Sequence, residues 1–152
     1  MLPYQMDYLF SYSATLHPPE VIGPVPEGIR VNFYVAGGEV TGPKLVGKVR
    51  PVGADWLTIR SDGIGVLDVR ATLETTDGGL VYAAYHGLVD LGEDGYARFL
   101  AGKVGGLARL TIFPRIQTAH AASRWLTRLP LVGIGSLDVD RLLVRYDVHA
   151  VR

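Results

Sequence analysis

A chain of 152 residues, 48% hydrophobic and 20% charged, with 15 Lys and Arg against 15 Asp and Glu, is sized for one domain and too apolar for disorder. Zero net charge and a pI near 6.9 remove the basic excess that phosphate binding needs, so no nucleic-acid partner is expected. The absence of Cys excludes disulfides, thiol nucleophiles and thiolate metal sites, while 19 Gly and 9 Pro supply the punctuation of many short strands.

In chain order, residues 1–10 have neither a basic start nor an unbroken apolar stretch, so the expectation is a cytoplasmic protein without a leader. Residues 8–16 alternate in size and stop at His17-Pro18-Pro19, which predicts a first strand. Residues 20–28 hold Pro24 and Pro26 and read as an extended loop. Residues 29–36 alternate with period two up to Gly37-Gly38 and predict a second strand. Four more are predicted over 45–50, 55–60, 64–75 and 80–89, bounded by Gly53, Ser61-Asp62-Gly63 and Thr76-Asp77-Gly78-Gly79. The Asp-Gly steps favour hairpins because glycine accepts the positive φ of tight turns. The 80–89 stretch is interrupted by His86 and falls far short of the roughly 18 residues a membrane span requires, so no membrane partner is expected.

Residues 92–101 form the one predicted helix, a lid or plug, with acidic residues early, Arg98 late, and Tyr96, Phe99 and Leu100 at helical spacing. Strand alternation then resumes over 107–118, 124–127, 131–135 and 141–151, the last setting Tyr146, Val148 and Ala150 against Arg145, Asp147 and His149. The expected architecture is all-β: a single antiparallel closed barrel over 1–152, of about 8–10 strands with one short helix near 92–101.

Hairpin arithmetic shows which side chains meet. A three-residue 61–63 loop pairs Thr58 with Val66 and Trp56 with Asp68; a two-residue 77–78 loop pairs Thr72 with Ala83, Arg70 with Tyr85 and Asp68 with Gly87. One face then carries Trp56, Arg60, Asp68, Arg70, Thr72 and Tyr85, and the other Leu57, Ile59, Leu67, Val69, Ala71 and Leu73. Two readings stand. Either the aliphatic face is the core and the polar face is solvated, or the polar face lines a lumen and a partner subunit covers the aliphatic one, giving a homodimer or larger homo-oligomer. In the second reading, Trp56 beside Asp68 desolvates the carboxylate and raises its pKa toward acid–base use, an effect Arg70 opposes. A one-residue slip in register exchanges the faces.

Other constellations are weaker. His17, His86, His120 and His149 lack paired metal-ligand spacing, no Gly-x-Ser-x-Gly elbow is present, and Gly133-Ile134-Gly135 has no following helix to hold a dinucleotide. Neither metal nor cofactor is expected. Arg109, Arg115, Arg124 and Arg128 read as rim charge.

Gly37-Gly38, Gly42-Pro43-Lys44-Leu45-Val46-Gly47, Gly53-Ala54-Asp55-Trp56, Arg60-Ser61-Asp62-Gly63 and the run Leu67-Asp68-Val69-Arg70-Ala71-Thr72 with Asp77-Gly78 resemble a bacterial family known only as domain of unknown function 3237. The likeness extends through Pro114-Arg115-Ile116-Gln117-Thr118 and Trp125-Leu126. It implies a closed barrel with a central cavity, often self-associating. Asp55, Asp68, Arg60 and Arg70 match the family pattern, whereas Gln117 stands where an acidic residue is common and Thr127 where asparagine follows the Trp-Leu pair. Asp68, Asp55 and Arg70 are therefore the candidate catalytic residues. Trp56, Arg60, Thr72, Tyr85, Arg115, Gln117 and Trp125 are the candidate substrate contacts. The expected function is a cofactor-independent acid–base enzyme of lyase, hydratase, isomerase or cyclase type, acting on a small, partly apolar metabolite in the lumen. The alternative is a non-catalytic carrier of a small hydrophobic ligand.

Overall fold

Period-two alternation builds one sheet that closes on itself. The computed structural model describes residues 1–152 as β1 (Met6–Leu16), β2 (Glu20–Val25), β3 (Gly28–Thr41), β4 (Gly47–Ile59), β5 (Ile64–Thr75), β6 (Leu80–Asp90), α1 (Gly95–Leu100), β7 (Leu107–Gln117), a 3₁₀ helix (Ala121–Arg128), β8 (Leu131–Asp138) and β9 (Leu143–Val151). Hydrogen-bonded neighbours run β1-β9-β8-β7-β6-β5-β4-β3, every pair antiparallel, and β1 pairs with β3 to close eight strands into a barrel. β2 joins β3 as a ninth strand outside the ring. The 14 residues of β3 are long enough to pair first with β2 and then with β1 along the same edge. At that seam a Cβ on Gly38 would lie 1.8 Å from the Ser13 carbonyl oxygen, so only glycine allows the closing pair Ala14–Gly38.

The inner faces of all eight strands fuse into one core, in which Phe10, Ile29, Ile59, Leu110, Ile112 and Val148 are fully buried. Register defines the two ends. Because Ile59 pairs with Gly65, Ile64 with Asp90, Leu107 with Asp138 and Thr15 with Leu143, one end gathers the 60–63 turn, α1 with its loops, the β1–β2 connection and the 139–142 turn. The opposite end gathers the 76–79 turn, the 3₁₀ helix and both termini, where Gln5 and Arg152 exchange backbone hydrogen bonds. The 3₁₀ helix stoppers that end with Leu126, which is 1% exposed. α1 packs Tyr96 and Phe99 against the core at the first end, within the predicted helix. No helix is long and apolar enough to cross a membrane.

Four local expectations are corrected. Residues 20–25 form an edge strand rather than a loop, since a proline is tolerated where its missing N–H faces no partner. The predicted strands 45–50 and 55–60 are one strand, β4, bent by register shifts opposite both β3 and β5. Residues 124–127 belong to the 3₁₀ helix, where the alternating pattern was too short to tell strand from helix. The β5–β6 turn holds three residues, because Thr75 N–H donates to Gly79 and Gly78 N–H donates back to Thr75. Thr72 therefore faces Tyr82, Arg70 faces Ala84 and Asp68 faces His86, one residue from the predicted register.

Candidate functional site

On β5, Leu67, Val69, Ala71 and Leu73 are buried toward the axis, while Asp68, Arg70, Thr72 and Glu74 stand half-covered on the outer wall. The aliphatic face is thus the core, and the reading that puts the polar face in the lumen is overturned. Burying an unpaired row of charged and polar groups would cost more than leaving it wet. The barrel itself covers the aliphatic row of β5, so that row calls for no partner subunit over it. The one-residue slip in β6 rotates Tyr85 inward, where it is 6% exposed.

One candidate acid does reach the interior. Asp55 stands on β4 between Phe33 of β3 and Val69 of β5 and is the one charged residue lining an enclosed chamber of about 50 Å³. It lies at a break in the β4–β5 ladder. Gly53–Asp55 pair with Val69–Ala71 and Thr58–Ile59 with Gly65–Val66, while pairing is interrupted at Trp56 and Leu57. There the Asp68 backbone N–H donates to Asp55 Oδ1 at 3.0 Å, and Arg30 Nη1 donates to the Trp56 carbonyl at 2.6 Å. The two ladder groups are satisfied by side chains, and the break aims the carboxylate at the chamber with one oxygen fixed. Burial pushes the Asp55 carboxyl up from 3.8 to about 7; the Asp68 N–H hydrogen bond and the Arg30 charge pull down, and the Asp68 charge adds to the rise.

Three phenols share the chamber with it. Tyr12 and Tyr146 lie 5.0 Å apart by ring centroid and Tyr85 and Tyr146 6.0 Å, the latter edge to face. Burial raises all three above the ordinary tyrosine value, so each remains a hydroxyl donor. Tyr12 and Tyr85 perturb one another, yet the Tyr12 hydroxyl has no partner of normal hydrogen-bond geometry. A protonatable carboxyl at neutral pH beside phenolic donors in an apolar cage is equipped for general acid–base chemistry.

The other sequence candidates lie elsewhere. Asp68 and Arg70 form an outer-wall ion pair at 2.6 Å, with His86 Nδ1 3.6 Å from the same carboxylate oxygen and the Arg70 guanidinium 5.2 Å from the Trp56 ring centre. Arg115 and Gln117 line an outer groove on β7 with Asp68 and Arg70, and Thr72 faces Tyr82 beside it. Arg60 is exposed in the β4–β5 turn and pairs with Asp62. Trp125 sits on the 3₁₀ helix at the stoppered end. Of the candidates, the structure brings Asp55 and Tyr85 together in the chamber. Tyr12, Tyr146 and Arg30 were not singled out from the sequence. The signal for Tyr146 was its place on the apolar face of β9; nothing local marks the other two.

A second polar cluster resembles a catalytic triad in outline. His120 Nδ1 is 3.0 Å from Ser123 Oγ and His120 Nε2 3.1 Å from Asp77 Oδ2, while Thr75 Oγ1 donates to Asp77 Oδ1. Ser123, however, is 4% exposed inside the 3₁₀ helix, so no substrate reaches it, and the cluster serves to clamp the helix onto the β5–β6 turn.

Comparison with known proteins agrees with this architecture. The family model described as "Protein of unknown function (DUF3237)" matches residues 4–151. A UPF0311 protein of Bradyrhizobium diazoefficiens is 32% identical over 150 residues, covering 95% of this chain and 94% of its own. The crystal structure of a conserved protein of unknown function from Rhodopseudomonas palustris superposes with a TM-score of 0.86 at 27% identity, covering all of both chains. The crystal structure of an enzyme from Penicillium herquei superposes with a TM-score of 0.68 at 17% identity, covering 97% of this chain and 96% of that one, a likeness of fold alone.

Proposed function

The chain belongs to the DUF3237 family of proteins of unknown function, and from that membership and the chamber just described we propose that it is a cofactor-independent acid–base enzyme for a small, partly apolar molecule. The observation that carries the reading is Asp55, a carboxyl whose pKa is raised to about 7 inside an otherwise apolar chamber. A carboxyl with that value is present in both protonation states at neutral pH, which suits a group that must take and return a proton within one turnover. Asp55 Oδ1 is held by the Asp68 N–H, leaving Oδ2 to receive a proton from a C–H or O–H of the bound molecule. Returned to a different atom of that molecule, the same proton completes an isomerisation or cyclisation; delivered to a departing hydroxyl it completes an elimination with loss of water, and a hydration is that step reversed with water as the added reactant, so none of them needs an external oxidant. Tyr12, with its unpaired hydroxyl, supplies a donor to the oxygen on which charge accumulates. Asp68, Arg70, Arg115 and Gln117 have no direct part in this scheme.

A carrier would need the apolar lining without the tuned carboxyl, and the two readings separate experimentally. Metabolites that co-purify with the protein are identified by mass spectrometry and returned in D₂O to wild type and to Asp55→Asn. Solvent deuterium entering a carbon position, or a rearranged product, with wild type and not with the variant supports the enzyme. Retention of the same molecule by both proteins, with no exchange or product in either, makes the barrel a carrier.

A further inference from the structure

The Asp55 chamber is too small for a whole substrate. At about 50 Å³ it holds a handful of water-sized groups, each taking roughly 10–15 Å³. Directly above it, at the end of the barrel where α1 lies, opens a second cavity of about 430 Å³. Phe33 and Leu137 line both spaces, so the two are neighbours. The outer cavity is built from parts that do not otherwise need one another. β2 and the turn before it contribute Pro19, Val21 and Pro24, α1 contributes Phe99 and Leu100, and the β8–β9 turn contributes Leu142. Every residue lining it is apolar, proline or glycine. Leu142 enters it with φ at 51°, a left-handed conformation that a leucine adopts only under constraint from its surroundings. The opposite end of the barrel is stoppered by the 3₁₀ helix, and two other spaces that share lining residues with the chamber, against Val69 and Tyr85 or Tyr12 and Tyr146, lie on the outer wall among charged side chains.

We infer that this outer cavity is a vestibule to the chamber, a binding site for the uncharged apolar body of the substrate, a hydrocarbon chain or ring, whose small oxygen-bearing head passes Phe33 and Leu137 to reach Asp55. The inference rests on the reading of Asp55 as proton carrier for the position of the head, and on the cavity alone for the body. Nothing in the vestibule can pair with a charge, so an ionic group there would lose hydration without compensation. Ligand pockets of several hundred Å³ with apolar walls and few polar groups are the common form of small-molecule sites.

The test uses the intact protein and the neutral fluorescent probe N-phenyl-1-naphthylamine. The expected result is saturable fluorescence enhancement with wild type, weakened about tenfold or more by Leu100→Arg. Leu100 is already 53% exposed, so that variant keeps its fold, which circular dichroism verifies. Leu80→Arg, equally exposed at the stoppered end, leaves probe affinity within about twofold. At pH 8, 1-decanol displaces the probe at lower concentration than decanoate, because the walls offer a carboxylate no partner and Asp55 is then ionised. Absence of saturable binding, an unchanged affinity in Leu100→Arg, an equal loss in Leu80→Arg, or preference for decanoate would each overturn the assignment. Asp55→Asn separates the two claims. If it binds the probe like wild type but wild type shows no deuterium exchange into co-purified ligand, the vestibule stands and the proton-carrier reading falls.

Discussion

At the scale of single residues, the protein places a weak acid where a strong one is normal. Asp55 is held near pKa 7 chiefly by desolvation, so the folded state binds a proton that the unfolded chain, with an ordinary aspartate, has released by about pH 5. Stability contributed through this group is therefore greatest below pH 4, falls as pH rises from about 4 to 7, and is flat above that, a change of about 4 kcal/mol across the window. Asn can accept the same Asp68 N–H but carries no charge. Asp55→Asn is expected to match wild type in urea midpoint at pH 4 and to exceed it at pH 8. An equal midpoint at both pH values would show that the carboxyl is not desolvated. Tyr12 makes the complementary case. Its buried hydroxyl lacks a good partner, and Tyr12→Phe should stabilise the free protein by about 1 kcal/mol while weakening any oxygen-bearing ligand. A loss of stability in urea would show that the hydroxyl is satisfied.

Legibility in the sequence was uneven at this scale for one reason. Asp55 is charged and sits on a strand whose inward neighbours Leu57 and Ile59 were plain, so parity alone puts it in the core, yet parity also makes a charged residue there look unfavourable. The resemblance to a known family drew attention to it. What sequence could not supply was the ladder break, since the pairing of Arg30 with the Trp56 carbonyl joins two strands through a side chain and leaves no periodic trace. Asp68 and Arg70 attracted attention because unlike charges beside tryptophan suggest a pocket; an ion pair on an outer wall has the same pattern.

At the scale of elements, the β5–β6 turn decides more than its own shape. Thr75 Oγ1 bonds Asp77 and accepts from the Gly79 N–H, fixing a three-residue loop and with it the parity of β6. That one residue of register is what places Tyr85 in the chamber and His86 outside. The same turn receives His120, whose two ring nitrogens bridge Asp77 and Ser123 and tie the 3₁₀ helix to the barrel end. Asp77 is held below the ordinary aspartate value, first by the Thr75 hydroxyl and then by His120, so the clamp tightens above the carboxylate range and loosens in acid. His120→Ala should speed amide hydrogen exchange over residues 121–128 and 75–79 while leaving β3–β5 unchanged. Unaltered exchange in the helix would leave Leu126 alone as its anchor. The edge strand β2 shows the limit of local reading. Pro24 argues against a central strand, and the distinction between loop and edge depends on the neighbour β3, some residues further along the chain.

At the scale of the whole molecule, closed-barrel topology was legible because turn punctuation, alternation and the lack of long helical patterns all pointed one way. The face lining the lumen was not, because both parities satisfy an alternating strand until one register is known. Closure itself hinges on the β1–β3 seam. Gly38→Ala forces a methyl group into the Ser13 carbonyl and should lower stability by about 3 kcal/mol or more, seen as a large fall in the thermal midpoint. A midpoint within a few degrees of wild type would mean the seam can relax without opening.

That seam also orders events in time. β1, made before the barrel's other strands, is flanked in the finished ring by β3 on one side and by β9, the last of them in chain order, on the other. Each strand from β3 to β9 can pair with the one before it as it appears, but the ring cannot lock until residues 143–151 arrive beside residues 6–15. Until then β1 has one hydrogen-bonding edge unfilled and the apolar inner faces have no lid. Contacts separated by nearly the whole chain are slow to form, so the β1–β9 pairing is expected to be the last part of the ring to close.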